Sequence, residues 1–196
     1  GSEAAFADED QVHAQLDTLD KANDQMQHAD YGGARELIEE VLNPVEPSHA
    51  PTLPVACEGK LLLAEWHRAQ AQYDNADSMY IKCMNDIDTL NKSDSEAEQG
   101  NRRTVILHLR VLVGIADLHR NLCKYDECKD MLYKAHKVTI SLNPAILNED
   151  ENAFRLAISE CRSSEAAFCL AKGEYDEAEV LYREALDIRR QVLGLD

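Results

Sequence analysis

"AKGEYDEAEVLYREALDIRRQVLG", residues 171–194, decides the fold. Gly173 stands two residues before Tyr175, small residues follow at Ala178 and Ala185, and a large one, Tyr182, lies between them. Offsets of three, seven and ten residues share one face of a 3.6-residue helix, so this is a helix that presses small side chains against a neighbour. Gly173 is free to take the left-handed conformation that ends a preceding helix. The stretch is therefore the second half of a helix hairpin. Its first half is "ENAFRLAISECRSSEAAFCLAK", residues 151–172, in a helix expected to begin near Asn148.

The same unit occurs three times earlier. Aligned on Tyr31, Tyr73, Tyr125 and Tyr175, at intervals of 42, 52 and 50 residues, the chain repeats its choices. Three residues on come Ala34, Ala76, Cys128 and Ala178; seven on, Ile38, Tyr80, Leu132 and Tyr182; ten on, Val41, Cys83, Ala135 and Ala185. Two residues before each tyrosine stand Ala29, Ala71, Cys123 and Gly173, and nine before, Ala22, Ala64, Ala116 and Ala166. Helices approach to about 8–10 Å only where the crossing carries small side chains. The alanine nine before, facing the small residue three after, supplies that crossing, and the tyrosine is expected to plug the corner. All five prolines fall in 43–54 and 143–147, and a polar stretch, "NKSDSEAEQGN", covers 91–101, so these are the breaks. The expected fold is all-α, a right-handed α-solenoid of four antiparallel helix hairpins at about 10–43, 52–91, 101–142 and 148–193. Together these form one array over 10–193. Residues 1–9 are expected to be a disordered tail, its Gly1–Ser2 an expression scar.

Composition narrows the function. The formal charge of −17 over 196 residues excludes a generic nucleic-acid binder, whose affinity comes from clustered Lys and Arg. The longest apolar runs, "VILHL" and "VLVGIA", are bounded or broken by His108 and Arg110, so no membrane insertion is expected. No signal segment leads the chain, which points to a cytoplasmic location with reduced thiols. "HRNLCKYDEC", residues 119–128, gathers His119, Cys123, Asp126 and Cys128, but no C-x-x-C pair exists and His119 and Cys128 sit at ordinary repeat positions. Neither metal nor cofactor is expected. Cys57 and Cys161 are the candidates for a redox switch. There is no G-x-S-x-G, H-E-x-x-H or phosphate-cradling glycine loop, so no enzyme is expected.

The pattern resembles the tetratricopeptide repeat (TPR) across nearly the whole chain, and the fourth unit, with its long hairpin and "LG" ending, is similar to the repeats of kinesin light chains. It departs from the family in its longer intervals, in Ile38 and Val41 of the first unit, and in lacking the family's tryptophan. Trp66 falls just before the often aromatic position, held here by His67. The resemblance implies a protein-binding module whose first helices line a concave groove that takes a peptide or helix of a partner. The implied groove residues are Leu19, Asn23 and Met26 in the first unit and Leu62, Glu65 and Arg68 in the second. Arg110, Val113, Asp117 and Arg120 follow in the third, and Ser163 and Ala167 in the fourth. A subclass grips chaperone C-termini with a clamp of Lys, Asn and Arg; here Asn23 and Arg110 match but Leu19, Leu62 and Gly114 do not, so that ligand is not implied. The cations Arg68, Arg110 and Arg120 would favour an acidic residue beside an apolar anchor. The kinesin-light-chain likeness implies an adaptor associated with the cytoskeleton.

Two other roles compete: a scaffold segment that stacks on further repeats or on itself, and a regulatory domain of a larger enzyme. Val180, Leu181, Ile188, Val192 and Leu193 give the last helix an apolar edge where a terminal hairpin normally has a polar one. That edge is expected to meet either a further repeat or a second copy, in a homodimer through the C-terminal hairpin.

Overall fold

A computed structural model describes residues 2–93, 98–141 and 151–194. The fold is all-α, with the paired helices of an α-solenoid and no strand among the described residues. Eight helices alternate as long first and second halves: α1 (Ser2–Gln27), α2 (Tyr31–Leu42), α3 (Leu53–Ala69), α4 (Tyr73–Ser93), α5 (Glu98–Asn121), α6 (Tyr125–Ser141), α7 (Glu151–Lys172) and α8 (Tyr175–Leu193). A short 3₁₀ turn, Pro47–His49, leads to α3, whose first turn holds Pro54 where a missing N–H is harmless. α1 begins at Ser2 and so runs through the stretch set aside as a tail. Residues 142–150, with the "NPAIL" break and the helix start at Asn148, lie outside the described residues, as do 94–97 of the polar stretch.

The four aligned tyrosines each open a second helix, and the turns before them are superimposable in their hydrogen bonds. Asp30, Gln72, Lys124 and Glu174 donate their N–H to the carbonyls of Gln25, His67, His119 and Cys169, each at 2.9 Å. The residues just before, Ala29, Ala71, Cys123 and Gly173, donate to carbonyls three back at 3.0–3.1 Å. This is the Schellman ending of a helix, which needs a left-handed residue. All four supply it, with φ of 61°, 57°, 58° and 80°. Only the last is glycine, so three of the turns hold a side chain in a conformation that costs roughly 1–2 kcal/mol. The crossings are closed: Ala22, Ala64, Ala116, Ala166, Ala34, Ala76 and Cys128 are fully buried.

The chain divides into two compact units, residues 1–93 and 94–196, each of two hairpins. In the first, α3 packs on both α1 and α2 around Leu19, Ile38, Val41, Val55 and Leu62. The approach is close at Gly59, where a Cβ would come within 2.9 Å of Leu42 Cδ2. In the second, α7 packs on α5 and α6 around Leu109, Leu112, Val113, Ala135, Phe154, Ala157 and Cys161.

Tyr31 and Tyr73 are half-buried at their corners, whereas Tyr125 and Tyr175 are exposed and do not plug theirs. Within each unit an aromatic from the following hairpin meets the residue that opens the preceding second helix, at its backbone carbonyl in the first unit and at its ring in the second. Trp66 Nε1 donates to the Tyr31 carbonyl at 2.7 Å, and Phe168 meets Tyr125 edge-on with centroids 6.3 Å apart. Tyr175, with no such neighbour among the described residues, is 68% exposed.

Candidate interaction surface

The implied groove residues divide into three groups. Leu19, Leu62 and Val113 are buried and belong to the two cores, so they are not ligand-facing; Met26 packs against the first core. A first helix shows one face to its own hairpin partner and another to the first helix of the next hairpin, and the leucines and valine fill that second contact. In the first unit this leaves Asn23, Glu65 and Arg68 half-buried at the surface, and neither Glu65 nor Arg68 is free. Trp66 lies beside them, with the Arg35 guanidinium 5.0 Å from its ring centre.

The second unit has a denser polar surface. Arg110 Nε lies 3.8 Å from Glu160 Oε2, and Arg120 Nη2 donates to Asp117 Oδ1 at 3.3 Å. The Ser164 hydroxyl donates to the same Asp117 oxygen at 2.8 Å and so ties α7 to α5. Ser163 is engaged within its own hairpin: its hydroxyl donates to the Ser159 carbonyl at 2.9 Å and accepts from Arg189 Nη2 of α8 at 3.1 Å. Ala167 is half-buried. Arg110 and Arg120 therefore do not form an uncompensated cationic wall; each already has a carboxylate, and a ligand acid would have to displace one.

Two hollows in the second unit have no signature in the sequence. One, of about 330 Å³, lies between hairpins and is lined by Lys129, Leu132, Tyr133 and His136 of α6 and by Arg162, Glu165 and Phe168 of α7. Along α7 Arg162 Nη1 donates to Glu165 Oε2 at 2.7 Å, and across the cavity His136 Nδ1 lies 3.9 Å from Glu165 Oε1. The other, of about 380 Å³, is an open apolar hollow on α8 around Leu170, Tyr175, Tyr182 and Leu186. In the first unit a hollow of about 390 Å³ opens between α1, α2 and the proline-rich turn.

All six cysteines are free thiols, and only Cys123 is exposed. Burial pushes Cys128 up to about 11 and Cys161 up to about 12, which keeps both as inert thiols at neutral pH. Cys57 and Cys83 face one another across the α3–α4 crossing, each sulfur donating to the other's carbonyl, at 3.8 and 3.6 Å. Of the chelating candidates in 119–128, Cys123 is exposed and Cys128 lies in the core. Cys169, Glu174 and Glu177 bring ligand atoms within 4.8 Å of one another at the last turn. Burial and both carboxylates push the Cys169 thiol up, so it resists becoming the thiolate that a metal takes.

Two tetratricopeptide-repeat family models match the chain, one over residues 61–94 and one over 168–196. The first spans the α3–α4 turn and all of α4, the second the α7–α8 turn and all of α8. No curated protein and no solved structure matches. The matches support a tetratricopeptide-repeat reading, and such helical repeats are typically protein-interaction or scaffold modules without catalysis. No described helix is long and apolar enough to cross a membrane.

Proposed function

We propose that the chain is a non-catalytic protein-interaction module that takes a segment of a partner protein along the exposed faces of its first helices. The observation that carries this reading is the repetition of one hairpin, down to its turn hydrogen bonds, with repeat-family matches in both units. The ligand-facing residues are Asn23, Glu65 and Arg68 on α1 and α3, and Arg110, Glu160, Asp117, Arg120 and Ala167 on α5 and α7. The charges of Arg110, Glu160, Asp117 and Arg120 are paired within the chain, so this surface favours a polar, near-neutral segment that exchanges hydrogen bonds over a strongly acidic one. Buried free thiols suit a reducing compartment, which favours the cytoplasm. The likeness of the last hairpin to kinesin light chain repeats adds a cytoskeletal adaptor as the sharper form of the reading.

The test is selection of a displayed peptide library on the full chain, followed by titration against Arg110→Ala/Glu160→Ala and Ala167→Arg. The first removes both members of an ion pair; the second blocks the surface. Selected peptides should lose at least tenfold in affinity to both variants at unchanged helicity. Peptides that bind all three proteins alike would sink the reading.

A scaffold segment is the second reading. It is favoured by the outer face of the last hairpin, where Tyr175, Tyr182, Leu186 and Leu193 are all exposed.

A further inference from the structure

Cys57 on α3 and Cys83 on α4 lie at matched heights of the second hairpin. The crossing of that hairpin is Ala64 on Ala76, and the two cysteines stand seven residues outward from it, one along each helix. Seven residues make two turns, so both side chains return to the face that meets the other helix. The same two positions hold Gln15 and Val41 in the first hairpin, Leu109 and Ala135 in the third, and Ser159 and Ala185 in the fourth. Packing there is satisfied without a thiol three times; the second hairpin puts two in contact.

Both cysteines are fully buried, and each sulfur lies against the other's carbonyl, at 3.8 and 3.6 Å. The thiols also hydrogen-bond to one another, which holds Cys57 below the usual thiol range against the opposing effects of burial and the Asp86 carboxylate. The same contact, with burial, pushes Cys83 up. Cys57 is therefore the sulfur that ionises first, and Cys83 keeps its proton. One turn after each cysteine, Lys60 Nζ holds Asp86 Oδ2 at 2.6 Å, so the two helices are tied beside the thiols. The start of α3 offers a way in. Its N-cap Thr52 makes no side-chain hydrogen bond, Cys57 follows in the second turn, and Gly59 lies two residues further on. A helix end without a cap and with a glycine opens locally, which admits a small oxidant and excludes a bulky one. Cys161 lacks this arrangement: its thiol donates to Glu165 Oε1 at 4.0 Å, and burial with that carboxylate pushes it up to about 12.

We infer that Cys57 and Cys83 are a reversible redox pair, which a small hydroperoxide converts into a disulfide that ties α3 to α4. The Cys57 thiolate attacks the terminal oxygen of the peroxide and the O–O bond breaks. The departing alkoxide takes the proton that Cys57 lost, and Cys57 becomes a sulfenic acid. The Cys83 sulfur then attacks the Cys57 sulfur, and the sulfenic hydroxyl leaves as water with the Cys83 proton. Two thiols have given up two electrons and two protons, and the hydroperoxide has become an alcohol and water. A thiol reductant returns the electrons by exchange. The cross-link closes the opening that admitted the oxidant and fixes the helix that carries Glu65 and Arg68. The inference does not depend on what the module binds.

The probe is hydrogen peroxide, added in slight excess to the reduced full chain. Remaining thiols are then alkylated in denaturant and the chain is mapped by mass spectrometry without reduction. Two of the six thiols should escape alkylation, in one cross-linked pair of peptides that holds Cys57 and Cys83, and dithiothreitol should restore both. The pair should be consumed at least tenfold faster than Cys128 or Cys161, which are buried too. Cys83→Ala, which installs the alanine of the third and fourth hairpins, should leave on Cys57 a sulfenic acid that dimedone traps. Cys57→Ser, which installs the serine of the fourth, should leave Cys83 unreacted. Circular dichroism checks that both variants keep the fold. Oxidation of the exposed Cys123 with Cys57 and Cys83 still reduced would overturn the inference. So would a cross-link from either to another cysteine, or consumption of the pair no faster than that of Cys128.

Discussion

The two units use one backbone pattern and two different adhesives. In the first, α3 is held to the preceding hairpin by a large buried aromatic, Trp66, 7% exposed and hydrogen-bonded to the Tyr31 carbonyl, and by a separate core of leucine, isoleucine and valine. In the second, the equivalent Phe168 is only half-buried, and α7 adds side-chain ties, Ser164 to Asp117 and Glu165 to His136. Register is therefore set by small residues and turns, while the contacts between hairpins are open to different chemistry. Apolar area tolerates any partner of the right shape, whereas a hydrogen bond fixes a particular one.

The largest expected effect is at Trp66. Trp66→Ala should destabilise the first unit by about 3–5 kcal/mol, the usual loss for a buried aromatic. Trp66→Phe, which copies the second unit, should lose about 1 kcal/mol with its hydrogen bond. Hydrogen exchange resolved by residue checks both; equal losses would mean that the hydrogen bond dominates. Next comes the shared register: Ala116→Leu, at a fully buried crossing, should cost about 1–3 kcal/mol through overpacking. Unchanged denaturant midpoints would break the assignment of that crossing.

Ser164→Ala tests the polar tie. It should cost the second unit about 1 kcal/mol and leave exchange in residues 2–93 unaltered. Smaller still is a gain. Ala71→Gly should stabilise by about 0.5–1 kcal/mol, because glycine releases the left-handed strain but loses more entropy on folding. A lower melting temperature for this variant would show that the turn does not hold φ positive.

A last effect appears only in alkali. The Cys128 thiol rises from an ordinary 9.0 to about 11 on folding, through burial. The folded state then holds its proton more tightly than the unfolded one. The stabilisation is present in full below pH 9 and is lost as pH rises through about 11. Cys128→Ala, which installs the alanine of the other three hairpins, should therefore melt with a shallower alkaline decline between those values. An unaltered slope would count against the buried thiol as its source.

Much of this architecture is legible along the chain because it depends on local offsets. The positions two before, three after and nine before each tyrosine recur without exception, and each maps onto one turn or one crossing. The aromatic pairing was also visible, since Trp66 and Phe168 share their seven-residue offset. The offset alone does not say which neighbour such an aromatic meets. Leu19, Leu62 and Val113 show the limit of such reading: their offsets place them on first helices but do not say which side the next hairpin covers.

The sequence by itself determined the hairpin, its register and its helical class, because turn geometry and helix crossing depend on residues a few positions apart. It also determined the net charge of −17, since net charge is a property of composition. Only the tertiary structure decided which groove positions became core, which cations were already paired and which apolar face remained bare. Those outcomes depend on contacts such as Ser164 with Asp117, 47 residues apart in the chain. Helical periodicity gives a side chain its angle about its own axis, but a neighbour's position follows from how whole hairpins pack.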